Sequence, residues 1–241
     1  MLRSLQSMLG YCAQAQDGHI GSIVDFLFNE ETWRIDYIGL RVGIWKTQKS
    51  LAISIDYVSG HSVWSERKLP LSLSMEELEK LPQYRHIERE PWAIEVLPNS
   101  TSNNSHNAEA QTITESKMQR RSLFRSFCRL RGLHLLTDNK DSGCVIDLII
   151  DDQSWQIQEV VVRVGWRIFL ANQVLIPIKR IHSIRWGNRA LIFSGTREEL
   201  CLSPSFKAEE PVNKEICTRL YDYYGRPRDW EERRGQSFPS Y

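Results

Sequence analysis

Cysteine, histidine and a few recurring charged residues are the side chains of this 241-residue sequence with types suited to chemistry. The cysteines stand at Cys12, Cys128, Cys144, Cys201 and Cys217, with no Cys-x-x-Cys and no histidine at zinc-finger spacing. An odd, scattered set predicts reduced, buried thiols rather than a disulfide framework. The six histidines form no His-Glu-x-x-His pair, and neither a Gly-x-Ser-x-Gly elbow nor a glycine-rich phosphate loop is present. Gly18 and Gly21 lie in a turn that leads into a strand, without the helix that would turn its amides toward a phosphate. A thiol beside an imidazole is the one catalytic pairing that folding could still assemble here. The expectation is a protein without metal or cofactor, and not an enzyme.

Charge offers more. Asp25 with Arg41, and Asp147 with Arg163, recur as pairs 122 residues apart. They read either as a charged binding site or as a structural pair, an ion pair between strands or a carboxylate bonded to a turn. From Val160 to Arg197 there is no Asp or Glu, while Arg163, Arg167, Lys179, Arg180, Arg185, Arg189 and Arg197 are interleaved with Trp166, Phe169 and Trp186. Arg163, Trp166, Arg167, Lys179, Arg180, Arg185, Trp186 and Arg189 are the candidate interaction surface, suited to an acidic protein, an anionic membrane or RNA. Near the C-terminus, Tyr221, Tyr223, Tyr224 and Trp230 form an aromatic cluster for docking, against a barrel, a partner or a second chain. Tail exchange of that kind would give a homodimer.

The elements that must position these groups come in two copies. Gly21-Ser-Ile-Val-Asp25, Trp33, Ile35 and Arg41-Val42-Gly43 match Gly143-Cys-Val-Ile-Asp147, Trp155, Ile157 and Arg163-Val164-Gly165. Leu2-Arg3-Ser4-Leu5 matches Phe124-Arg125-Ser126-Phe127, Gly10 matches Gly132, Trp64 matches Trp186, and Arg67 matches Arg189. Alternation through Asp36, Ile38, Leu40 and Val42, and through Val160, Val162 and Val164, predicts a strand in each copy. Further strands are expected over residues 20–28 and 51–58, with tight turns at Ser59-Gly60-His61 and Gly187-Asn188. Capping boxes at Ser74/Glu77 and Thr196/Glu199 predict one short helix per copy. Trp33 and Trp155 read mainly as packing residues. The reading is an all-β chain: domain 1 over residues 1–98, a flexible polar linker over 99–122, domain 2 over 123–206, and a helical, aromatic tail over 207–241. The basic lead-in around Leu123 and Phe127 is expected to pack on the second domain rather than lie on a membrane.

Asp17-Gly-His-Ile-Gly-Ser-Ile-Val-Asp-Phe-Leu-Phe28 followed by Glu31-Thr-Trp-Arg-Ile-Asp-Tyr-Ile38 resembles the PRC-barrel family. That family includes the cytoplasmic domain of the photosynthetic reaction-centre H subunit and the C-terminal domain of the ribosome maturation factor. The likeness covers most of residues 1–82 and, more weakly, 123–204. It implies two small β-barrels, each a binding scaffold without known catalytic residues. The expected function is accordingly a non-catalytic adaptor or assembly factor that binds proteins, at a membrane-associated complex such as a photosynthetic one. The alternative is an RNA- or ribosome-associated factor using the basic surface of the second barrel.

Composition sets the outer bounds. With 41% hydrophobic and 25% charged residues and a net charge of +1, the chain is not collagenous, wholly disordered or disulfide-dense. No apolar run approaches the roughly 20 residues of a membrane span, and no signal peptide is evident, so a cytoplasmic location is expected. Residues 1–98 carry 10 basic and 13 acidic side chains, and residues 123–241 carry 18 and 15, so the two halves have opposite net charge.

Overall fold

The computed structural model describes residues 1–43, 49–59, 66–87, 90–97, 124–138, 140–165, 172–206 and 214–224. The linker expected at 99–122 lies outside these, as do Trp166, Arg167, Trp230 and the side chain of Tyr221. The described chain is mostly strand, in two mixed sheets with short helices, as an all-β reading requires.

Two compact units divide the chain, and neither is continuous in sequence. Unit 1 holds Met1–Ser4, Arg131–Asp151 and Ile157–Tyr241, and unit 2 holds Leu5–Leu130 and Asp152–Gln156. The division differs from the contiguous pieces 1–98 and 123–206, because the short lead-in segments change places.

In unit 2, the helix α1 (Leu5–Met8) precedes β2 (Cys12–Gln14), β3 (His19–Asn29), β4 (Arg34–Val42) and β5 (Lys49–Ser54). A 3-10 turn (Ile55–Tyr57), β6 (Lys68–Pro70), α2 (Met75–Glu79), β7 (Gln83–Ile87) and β8 (Glu90–Leu97) follow, then β9 (Phe124–Ser126) and α3 (Phe127–Leu130). Pairings run β4-β5-β7-β8-β9-β3-β2-β6, and β3 also pairs β4. In unit 1, β1 (Leu2–Ser4) joins β10 (His134–Thr137), β11 (Lys140–Asp151), β12 (Ile157–Val164) and β13 (Asn172–Pro177). Then come a 3-10 turn (Ile178–Arg180), β14 (Ile181–Arg185), β15 (Ala190–Phe193), α4 (Arg197–Leu202) and α5 (Lys214–Tyr224). The order there is β13-β12-β11-β10-β15-β14, with β1 on β11.

The repeat read from sequence is a repeat of backbone. The parallel pair β2–β6 aligns Cys12 with Lys68 and Ala13 with Leu69; β10–β15 aligns His134 with Ala190 and Leu135 with Leu191. Left-handed positions recur at the same offset: Gly10 and Gly132, Trp33 and Trp155, Gly43 and Gly165, and Arg67 and Arg189 all have positive φ. Side chains rarely adopt that conformation, so turn geometry accounts for much of the spacing that aligns the copies. Trp33 also stacks on Phe28 at 5.6 Å, and Trp155 is buried, in keeping with packing roles.

Both long hairpins carry the same irregularity. The register slips between Ile23 and Asp25 in β3 and between Val145 and Asp147 in β11. Each extra residue, Val24 or Ile146, is a bulge that resets the alternation and leaves the following aspartate buried. In unit 2 the core includes Leu27, Ala52, Ile94 and Phe124, with Tyr37 and Tyr84 packed against it. Phe127 sits edge-on to Phe26, so the lead-in at 124–130 packs on the unit built from the first repeat and not, as expected, on the second. The capping box at Ser74 is complete, whereas Thr196 caps Glu199 while the Glu199 carboxylate engages Arg180.

Gly21 and Gly143 stand where β3 and β4, or β11 and β12, pass most closely. A Cβ would come within 2.0 Å of the Arg41 carbonyl oxygen at Gly21 and 2.3 Å of the Arg163 oxygen at Gly143, and backbone cannot step aside as a side chain would. Gly187, in the open turn after β14, has nothing within 4 Å. Gly143→Ala is expected to destabilise the fold by about 2–3 kcal/mol and Gly187→Ala by under about 0.5 kcal/mol, read by urea unfolding. Equal midpoints for the two variants would contradict the close approach.

Candidate functional site

Asp25 and Asp147 hold the exchanged lead-ins. Asp25 Oδ1 accepts from the amides of Phe26 (2.8 Å) and Cys128 (3.0 Å), and its Oδ2 accepts from the hydroxyl of Ser126. Ser126 Oγ in turn accepts from the Arg129 amide at 3.1 Å, closing the first turn of α3. Asp147 repeats the scheme: Oδ1 accepts from the Leu148 amide at 2.7 Å, and Oδ2 from the Ser4 hydroxyl. The bulge carbonyls beside them take side-chain donors, Cys128 Sγ at 3.3 Å on Val24 and Arg131 Nε at 3.2 Å on Ile146.

Of the two structural forms expected for Asp25, the described residues show the carboxylate bonded to a turn, at the start of α3, and not the ion pair with Arg41. The register sets Asp25 opposite Gly39 and Arg41 opposite Ser22, and Arg41 is exposed. Asp147 likewise lies opposite Val161, while exposed Arg163 faces Cys144 across the ladder. Arg41 stands two residues beyond Gly39, on the same face as Asp25, yet its side chain is exposed; the bulge that sets this register cannot be read from residue types alone. Gly39 has a clear reason: a Cβ there would lie 2.6 Å from the Tyr84 hydroxyl and 3.2 Å from Asp25 Cβ. Burial, with the Asp25 carboxylate nearby, pushes the Tyr84 hydroxyl well above the usual phenol range.

The basic window is dispersed over its sheet. Arg163 is on β12 and Arg185 ends β14, four strand spacings apart in the order β12-β11-β10-β15-β14, or about 19 Å at about 4.8 Å each. Lys179, Arg185 and Arg189 are exposed, whereas Trp186, the first residue of the hairpin turn that links β14 to β15, is buried. Arg180 forms an ion pair with Glu199 and lies 5.3 Å from the Phe193 ring centroid and 5.4 Å from that of Tyr224. It is thus an anchor within unit 1. Lys179, Arg185 and Arg189 are the members left facing solvent around β14, with Arg163 farther across the sheet.

The same anchor receives the tail. Ile216, Leu220 and Tyr224 of α5 are buried, the helical face expected from their spacing. The Tyr223 hydroxyl donates to the Glu199 carbonyl at 2.7 Å, and the Tyr224 hydroxyl to Ser203 Oγ at 3.2 Å. Burial pushes the Tyr224 hydroxyl up to about 12. Tyr223 and Tyr224 therefore dock on their own unit.

No family model matches the chain, and no curated protein matches it. Folding does bring one thiol and imidazole together: Cys12 Sγ lies 3.5 Å from His19 Nδ1 across the β2–β3 hairpin. The corresponding positions in unit 1 are His134 and Asp141, whose Nδ1 and Oδ2 are 2.8 Å apart. Position within the repeat, rather than a motif, was the signal that could have located both pairs. Among the described residues no cluster of three or more His, Cys, Asp and Glu is placed to hold a metal, and no helix is long and apolar enough to cross a membrane.

Burial is the main influence on the Asp25 carboxyl and raises its pKa against the lowering effect of its hydrogen bonds. A folded-state value above the unfolded one means that the folded state holds its proton longer. The contribution of Asp25 to stability is full below the unfolded value and declines as pH rises through the folded one. Asp25→Asn preserves the shape and removes the titration. Unfolding midpoints measured from pH 3 to 8 are expected to decline with pH more steeply in the unaltered chain than in Asp25→Asn; parallel profiles would refute the assignment.

Proposed function

We propose that the chain is a non-catalytic protein-binding adaptor or assembly factor built from two PRC-type barrels, working at a membrane-associated complex of the photosynthetic type. The barrel reading draws on the unit 2 pairings, which run from β4 through β5, β7, β8, β9 and β3 and back to β4. In unit 1 the counterpart of the β5–β7 contact is the bridge Val174↔Ser205, beyond which residues 207–213 lie outside the described structure.

The observation that carries the adaptor reading is divergence of charge on a repeated backbone. The 3-10 turn after β5 reads Ile55-Asp56-Tyr57, and its counterpart after β13 reads Ile178-Lys179-Arg180. The first puts an exposed acid where the second puts an exposed base. Two scaffolds alike in fold but opposite in charge at this turn suit two different partners, and linkage raises the effective concentration of the second once the first is bound. The basic side, around Lys179, Arg185 and Arg189, complements an acidic protein surface.

The acid-free window from Val160 to Arg197 also favours the second reading, an RNA- or ribosome-associated factor. Retention of partners by the intact chain from native lysate separates the two readings. The adaptor reading predicts partners that survive nuclease but weaken about threefold to tenfold for Arg185→Ala/Arg189→Ala, and more at low salt than in 0.15 M salt, where the Debye length falls to about 8 Å. Loss of all retained material on nuclease treatment would transfer the basic surface to RNA. Equal retention by the double variant at every salt concentration would remove that surface from either role.

A further inference from the structure

The thiols stand closer to solvent than their scatter predicts. Among the described residues Cys12 and Cys144 are half-buried, and Cys128 and Cys201 are exposed. Cys12 is the one set against an imidazole, its Sγ 3.5 Å from His19 Nδ1. A slip in the β2–β3 ladder between Ala13 and Gln14 makes this contact. Regular alternation from Ser22 would turn His19 to the opposite face; the slip sets it against Gln14, on the face that carries Cys12.

Cations stand on both flanks of this thiol. Lys68 is opposite Cys12 in the parallel β2–β6 pair. Its ammonium is held above the ordinary lysine value mainly by Glu66, 2.9 Å away, and in smaller part by Cys12. On the other flank Ser22 lies between Cys12 and exposed Arg41, two strand spacings or about 10 Å from the thiol's strand. Unit 1 arranges the same positions differently. There Cys144 takes the place of Ser22, opposite His134, and the His134 Nδ1 is engaged by Asp141 at 2.8 Å.

We propose that Cys12 is a modification site, a nucleophilic thiol that exchanges with low-molecular-weight disulfides bearing carboxylates. His19 Nδ1 takes the thiol proton, and the thiolate attacks one sulfur of the reagent. A bond forms between that sulfur and Cys12 Sγ while the reagent's own S–S bond breaks. The departing thiolate recovers the proton from His19 and leaves as a thiol. Cys12 is oxidised and half of the reagent is reduced, so no other oxidant enters. Lys68 and Arg41, at the two ends of the row, favour a reagent that carries carboxylates on either side of its disulfide.

The full-length chain, reduced and then exposed to oxidised glutathione, tests this, with peptide mapping to follow each of the five cysteines. Cys12 is expected to be modified first, about tenfold faster than the more exposed Cys201, and to be released by excess reductant. His19→Gln is expected to slow Cys12 about tenfold while Cys201 in the same molecule keeps its rate. Cystamine carries the same disulfide between ammonium groups. Arg41→Ala is expected to slow oxidised glutathione at Cys12 about threefold and to leave cystamine unslowed. Modification of Cys201 before Cys12, or a His19→Gln chain that reacts at Cys12 as fast as the unaltered one, overturns the thiol–imidazole site. Equal slowing of both reagents by Arg41→Ala, or slowing of neither, overturns the preference for carboxylates.

Discussion

A carboxylate placed by a bulge and satisfied by a serine from elsewhere in the chain is the contact on which both units depend. Asp25 and Asp147 are buried, and a buried acid without donors is costly. Each meets that need with the next amide of its own strand and the hydroxyl of a lead-in segment, Ser126 or Ser4. The lead-in is thereby selected by chemistry as well as by apolar fit. A residue without a hydroxyl at position 4 or 126 would leave an oxygen of the buried host aspartate with one donor fewer. The same bulge that buries the acid frees the carbonyls of Val24 and Ile146, and these too find donors, Cys128 and Arg131. Fold and segment exchange are in this sense one device.

The repeats diverge where this device does not constrain them. Asp56 and Lys179 share a backbone position on the 3-10 turns, yet neither takes part in the ladders, so charge could change there without disturbing pairing. Glu77 and Glu199 show the structural form of such change. Glu77 closes a capping box with Ser74, while Glu199 turns to Arg180 and supplies its carbonyl to Tyr223. The helix cap is kept in both repeats, and in the second its glutamate also serves the seat of α5. Lys179, Arg185 and Arg189 are thereby left as the solvent-facing charges around β14.

Much of the scaffold was legible in the sequence because it rests on local rules. Alternation in β4 and β12, the helices at Ser74 and Thr196, and the tail face of Ile216, Leu220 and Tyr224 all follow from neighbouring residues. The 122-residue offset was legible because left-handed turns and close strand approaches restrict what can stand at Gly10, Gly21, Gly43 and their counterparts. The ion-pair form of the Asp25–Arg41 reading fails for the converse reason, whereas the other form, a carboxylate bonded to a turn, is what Asp25 shows. Recurrence at one offset shows that both residues are held in place, but not that they hold each other: Asp25 is buried on the lead-in, while Arg41 is exposed.

Which unit each lead-in joins could not follow from pattern, because both lead-ins carry the same Arg-Ser step flanked by apolar residues and both slots carry the same aspartate. Local sequence specifies that a lead-in fits a slot and leaves open which one. Connectivity decides: β9 pairs with β8, a strand of unit 2, and this pairing commits Ser126 to Asp25. Met1–Ser4 then fills the slot on β11. β9 gains a ladder on each side, from β3 and from β8. Two copies of one recognition rule within one chain let the same Arg-Ser step serve both slots, Ser126 on β3 and Ser4 on β11.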